Sequence, residues 1–192
     1  MRRSIAVIAI STALAAGCAT PSDDLDMRRP GAAVSQTDGV KAFSDAVLGH
    51  CLPAIHNNQA FADFEVKDVT PLGKLAENKI SMFENKTLPV WQMVDGVVQI
   101  QLDESQSCAV KSYGLPVKAT FRLVGNTALQ TSYDYREEDV GFPQAGESFR
   151  RVLVSGTGAD AVTLTLTGME PGAPGNDEKY AKLDAVVSRG EE

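Results

Sequence analysis

No dense run of lysine or arginine occurs in this 192-residue chain, and acids outnumber bases by 25 to 18. Nucleic-acid affinity comes mainly from neutralising phosphates with Lys and Arg, so nucleic-acid binding is not expected. The net charge of −7 also argues against electrostatic adhesion to anionic lipid. No G-x-S-x-G, H-E-x-x-H or S-x-x-K is present. These absences remove the common signatures of hydrolases without excluding an enzyme. No apolar run reaches the roughly 20 residues that a membrane-spanning helix needs. The sequence holds no helical or propeller-type repeat, only a weak suggestion of two similar halves, each a helix followed by a meander.

What is present starts at the N-terminus. Arg2 and Arg3 precede a run over residues 5–16 that is apolar or small, diluted only by Ser11 and Thr12. A basic start, a short apolar run and small residues at its end describe a secretory signal. Residues 1–17 are therefore set apart from the fold. Two cleavage readings compete: ordinary cleavage after Ala15 or Ala19, or cleavage just before Cys18.

Leu14-Ala15-Ala16-Gly17-Cys18 resembles the lipobox of bacterial lipoprotein precursors, in which small residues precede a cysteine that becomes lipidated. Leu14 stands four residues before the cysteine, whereas the family's leucine usually stands three before; Ala15 takes that place. The resemblance covers this segment alone. It implies a palmitate-type lipid on Cys18 as membrane anchor, and Ala19 after the cysteine implies the outer membrane, facing the periplasm. One acyl chain anchors only marginally, and stable binding takes two or more. The alternative is a soluble periplasmic or secreted protein. Loss of Arg2 and Arg3 takes the net charge from −7 to −9. The remaining 175 residues suffice for one domain with a real core.

If Cys18 carries lipid, Cys51 and Cys108 remain. An even pair in an oxidising compartment is a candidate disulfide. It would close a loop of nearly 60 residues, worth roughly 4 kcal/mol in the chain-entropy model. The other reading is two separate buried thiols.

Residues 18–37 are polar, with Pro21, Pro30 and Gly31, and read as a tether. The single folded domain is expected over 38–192. Val40, Phe43, Val47, Leu48 and Cys51 form one helical stripe, with Thr37 or Asp38 as N-cap and Pro53 as the stop. Residues 54–88 give no clear pattern; 75–83 suits either a short helix or irregular chain. In "PVWQMVDGVVQIQLDE", Asp95-Gly96 suits a two-residue type I′ turn between strands. Val98, Ile100 and Leu102 alternate with Gln99 and Gln101, the pattern of a half-buried strand. "SCAVKSY" continues the sheet. Val117, Phe121 and Val124 share a helical face that Gly125-Asn126 would end, although Thr120, Phe121 and Val124 also suit a strand. "TSYDYREEDVGFPQAGES" reads as a long loop. "FRRVLVSG", "AVTLTLTG" and the alternation of Ala181, Leu183, Ala185 and Val187 give three more strands. The fold class expected is α+β, an antiparallel sheet of hairpins and meanders packed against one or two helices.

Few residues offer chemistry. His50, Cys51 and His56 include good zinc ligands, but no fourth partner stands at a recognisable spacing. A Cys-His nucleophile pair would need Cys51 free. The bland reading is helix-end histidines, partly exposed. Glu137, Glu138 and Asp139 suit calcium or acid–base work, yet adjacent loop acids are more often solvated; Asp103 and Glu104 read as turn residues. The glycine-rich loop over 155–160 lacks a following helix and a lysine, so it is a hairpin loop rather than a phosphate cradle. Trp91 and Phe121 read as core. Tyr133, Tyr135 and Phe142 form a possible binding loop, because exposed loop aromatics anchor partners; alternatively they fold back over the sheet. No metal and no cofactor is expected.

Three function classes follow. The first is a non-catalytic, lipid-anchored envelope protein that binds another envelope protein through an exposed edge strand or the tyrosine loop. The second is a small-ligand module with a cavity between helix and sheet. The third is a hydrolase or metal-dependent enzyme.

Overall fold

A computed structural model describes residues 34–58, 61, 69–103, 106–141, 148–176 and 179–190. Over these the chain is the expected α+β fold. Eight antiparallel strands form one sheet: β1 (Gly73–Lys74), β2 (Val90–Met93), β3 (Val98–Asp103), β4 (Ser107–Tyr113), β5 (Arg136–Gly141), β6 (Phe149–Ser155), β7 (Val162–Met169) and β8 (Lys182–Arg189). Their order is β1-β2-β3-β4-β8-β7-β6-β5. Each half is thus a four-strand meander, and the halves meet along β4 and β8. A helical segment precedes each meander, so the suspicion of two similar halves holds at the level of topology.

The first helical segment has three parts. α1 (Gln36–Ser44) runs into a π-helical stretch, Asp45–Cys51, which leads into α2 (Leu52–Asn57). Ser35, rather than Thr37 or Asp38, is the N-cap: its hydroxyl accepts the Asp38 N–H at 3.1 Å. The helix therefore starts two residues ahead of the expected boundary. Pro53 does not stop it. The proline lies in the first turn of α2, directly after the π-helical stretch. The Leu52 N–H reaches back five residues to the Val47 carbonyl, and this wider winding advances the buried face beyond a 3.6-residue period. Gly39, Ala42, Ala46 and His50 are buried along with Phe43, Val47 and Cys51, while Val40 and Leu48 are only half-buried.

The second segment is α3 (Val117–Ala128). Val117, Phe121 and Val124 point inward as expected, but the helix runs through Gly125 and Asn126. Gly125 serves contact there rather than termination. A Cβ at this position would stand 2.2 Å from the Arg151 guanidinium, which crosses beneath the helix. Gly168 on β7 does the same for Val117, at 2.4 Å. These two positions let α3 lie close on the sheet.

The helices cover one face. Ile100, Val110, Val187, Leu164 and Leu153 of the sheet pack there against Phe43, Val47, Ile55 and Val124. Cross-strand pairing joins Ile100 to Val110, Val187 to Leu164, and Leu164 to Leu153. Phe121 is part of the core, and Trp91 is half-buried against that core with its ring edge-on to Phe61.

Three expectations about strands and turns need correction. Asp95-Gly96 does lie in a hairpin, but the connection spans Val94 to Val97, with positive φ at Val94, Asp95 and Gly96. β3 is not half-buried: Gln99 and Gln101 are covered as well as Val98 and Ile100. The presumed loop after Ser132 becomes strand β5 from Arg136, because it pairs along β6 with a bulge between Glu137 and Asp139.

Candidate functional site

Cys51 and Cys108 form a disulfide with a Cα–Cα distance of 5.4 Å. Cys51 ends the π-helical stretch and Cys108 faces it from β4, so the bond staples the first helix to the middle of the sheet. A bonded Cys51 can serve neither as nucleophile nor as metal ligand. Among the described residues, no group of three or more His, Cys, Asp or Glu gathers in a way that could hold a metal ion.

The two histidines are not alike: His56 is a partly exposed helix-end residue as expected, and His50 is not. His50 is buried, with Nε2 3.3 Å from the Thr70 carbonyl and its ring edge-on to Phe61. Burial pulls its pKa below the usual imidazole value, against the opposing pull of the Thr70 carbonyl and Asp45. Asp45 in turn accepts the Thr70 N–H at 2.7 Å. His56, near the end of α2, is half-buried. Its ring stacks on Tyr133 at 4.0 Å and 7°, and its Nε2 lies 2.9 Å from the Tyr135 hydroxyl. Burial lowers its pKa, and Arg189 lowers it further. Arg189, at the end of β8, donates to the carbonyls of Ile55 at 2.6 Å and His56 at 3.5 Å. It thereby caps α2 with a cation.

The tyrosines expected on a binding loop therefore turn inward. Tyr135 is buried, and burial followed by Tyr133 pushes its phenol pKa up. Tyr133 is half-buried, and its carbonyl accepts the Ser155 hydroxyl. Phe142 lies outside the described residues, as does Cys18. Of the acidic trio, Glu137 pairs with Arg151, which also donates to the Asn126 side chain at 3.0 Å. Glu138 is exposed, and the Asp139 side chain lies outside the described residues. Asp103 is exposed at the end of β3; Glu104 is outside the described residues. The loop over 155–160 joins β6 to β7 as expected, with a short 3₁₀ turn at Gly158–Asp160.

The sheet face away from the helices divides in two. Over β3 it is covered. The Gln99 amide donates to the Ile80 carbonyl at 2.9 Å and accepts the Met82 N–H at 2.8 Å. Gln101 donates to the carbonyls of Asn85 at 2.8 Å and Leu88 at 3.2 Å. Irregular chain over 75–89 is thus strapped down, with its own Phe83 buried.

Over β8 and β7 the face is partly open. Register aligns Lys111, Asp184, Thr167 and Arg150 in one row, and Ala109, Val186 and Thr165 in the next. Thr163, Thr165, Thr167, Ala109 and Ser188 are half-exposed. Val186, at the centre, is 38% exposed. Burial raises the Asp184 pKa against the pull of Lys111 and Lys182. Toward β6 the face closes, since Val152 and Val154 are buried.

Arg189, Arg151, Gln99 and Gln101 carry much of this arrangement and escaped the sequence reading. The glutamines alternate with apolar residues as solvent-facing ones do, and no local signal marks the arginines. A shallow groove of about 410 Å3 lies elsewhere, between α1 and α3, lined by Val40, Lys41, Asp45, Pro116 and Leu123 among others.

No protein-family model matches the sequence, and neither a curated protein nor a solved structure matches it.

Proposed function

We propose that this chain is a non-catalytic lipoprotein of the bacterial envelope, anchored through lipid on Cys18, that works as a protein-interaction module. The working surface is the partly open face of β4, β8 and β7. One observation carries the reading: a large aliphatic side chain, Val186, is 38% exposed in the middle of a sheet, ringed by half-exposed Thr165, Ala109 and Thr163. Small hydroxyl-bearing side chains around an apolar centre give a flat, desolvatable patch with a polar surround. The Cys51–Cys108 disulfide supports the compartment, since such bonds persist where thiols are oxidised. The edge-strand and tyrosine-loop routes lose weight. At one edge β1 has only two residues, at the other β5 is bulged and rich in charge, and both features blunt an edge; the tyrosines face His56.

The test is photo-crosslinking in intact cells, with a benzoylphenylalanine placed at Val186, Thr165 or, as control, Arg122 on the exposed side of α3. Discrete adducts from Val186 and Thr165 alone are expected. Adducts from Arg122 alone would refute the surface. Palmitate labelling that disappears in Cys18→Ala checks the anchor.

A second reading has one observation behind it. The groove between α1 and α3 has room for a small ligand. The space between helices and sheet, where a ligand cavity was expected, is filled by Phe43, Ile55, Ile100 and Leu164. A small mass retained on the native ion of the oxidised protein, and lost in Leu123→Lys, would favour that reading.

A further inference from the structure

We propose that His56, Tyr133 and Tyr135 form an acid-sensitive latch, which fastens the approach to β5 onto the end of α2 and releases it when the imidazole takes a proton. The inference stands independently of the interaction surface above.

The geometry sets the roles. The Tyr135 phenol keeps its proton through the neutral range, because burial raises its pKa. His56 Nε2 and Tyr135 Oη lie 2.9 Å apart; the latch takes the phenol as donor and the neutral imidazole as acceptor, which puts the imidazole proton on Nδ1. A second proton on the ring turns Nε2 into a donor. Two donors then face each other, and the phenol hydrogen must rotate into a site where Tyr135 is only 6% exposed. A buried donor stripped of its acceptor is costly.

The surroundings offer the new charge little. A cation near a helix C-terminus is normally favoured, but Arg189 from β8 already holds the Ile55 and His56 carbonyls. The groups facing the imidazole are Arg189 from β8 and the two phenols from the turn ahead of β5. Asp134, between the phenols, is exposed. The stacked Tyr133 ring attracts an imidazolium only weakly. Desolvation and Arg189 outweigh it, which is the direction of the His56 shift.

Release stays local because the two sides of the helical segment are fastened differently. On the β4 side the bond is covalent, Cys51 to Cys108. On the β5 side it consists of the ring stack of His56 on Tyr133 and the Tyr135–His56 hydrogen bond. Acid therefore loosens the β5 corner while the helix stays on β4.

The test is amide hydrogen exchange on the disulfide-intact protein at pH 7.5 and 5.0, corrected for the intrinsic rate. Peptides over 133–138 should lose protection about tenfold at pH 5.0, with β4 and β8 unchanged. His56→Phe keeps an aromatic stack and should abolish the pH response. A response spread evenly over the sheet, or one that persists in His56→Phe, would overturn the latch. A measurement without substitution guards against a misfolded variant: nitrogen-15 shifts of the native His56 ring at pH 7.5. The Nδ1–H tautomer is expected, and the Nε2–H tautomer would overturn the proposal.

Discussion

The first half of the sheet, β1–β4, and the second, β5–β8, are both helix-led meanders, yet their outer faces differ. In β3 the polar members of the alternation are Gln99 and Gln101, buried under residues 80–88. In β7 they are Thr163, Thr165 and Thr167, half-exposed. Both stretches read as apolar-in, polar-out. The side chains explain the different outcomes. A glutamine amide is long and has both donor and acceptor, so it can satisfy a carbonyl and an N–H of irregular chain lying across the sheet. A threonine hydroxyl is too short to hold a strap at that distance. Strand β3 therefore spends its outer face on stability, whereas β7 and β8 leave theirs available for a partner.

That contrast can be broken at several points. Cys51→Ala with Cys108→Ala removes the staple and should cost the most, about 2–5 kcal/mol, as a fall in the denaturant midpoint. Gln99→Ala strands the Ile80 carbonyl and the Met82 N–H. A loss of about 2–3 kcal/mol is expected, with exchange protection vanishing over 80–88 first.

Gly125→Ala should destabilise by about 1–2 kcal/mol, although the same change in an exposed helix gains about 1 kcal/mol. The new Cβ meets an Arg151 that is pinned by Glu137 and Asn126 and cannot move aside without breaking both contacts.

Acid should act more gently. Both histidines have folded-state pKa values below the ordinary 6.5, so the unfolded chain takes up protons first as pH falls. Their contribution is full above pH 6.5 and is lost progressively below it, toward the lowered folded values. Urea midpoints should fall between pH 7 and about 5, and fall less in His56→Phe. Asp184, whose folded pKa is raised, offsets part of this only near the carboxylate range. The smallest effect is Thr165→Ala, within about 0.5 kcal/mol of the parent. A loss comparable to that of Gln99→Ala would erase the contrast between the halves.

Strands β3, β4, β6, β7 and β8 and helix α3 were legible because their apolar residues repeat at 2.0 or 3.6. The Cys51–Cys108 bond was legible from cysteine arithmetic once Cys18 was set aside. The first helix was misjudged where its winding changes: a π-helical stretch shifts the buried face, and small residues such as Gly39 and Ala42 carry close contact that hydrophobicity does not reveal. The strap over 75–89 was illegible because its fixings are amides on another strand. The inward turn of Tyr133 and Tyr135 depends on His56, about eighty residues away in the chain, and no local pattern encodes that pairing.

The most direct test of the central contrast is methyl NMR of the oxidised domain with a soluble paramagnetic agent. Signals of Thr163, Thr165, Thr167 and Val186 should broaden strongly, while those of the buried Met93 and Ile100 stay sharp. If the threonine and Val186 methyls are as protected as Ile100, that face is already covered, and the proposed working surface does not exist.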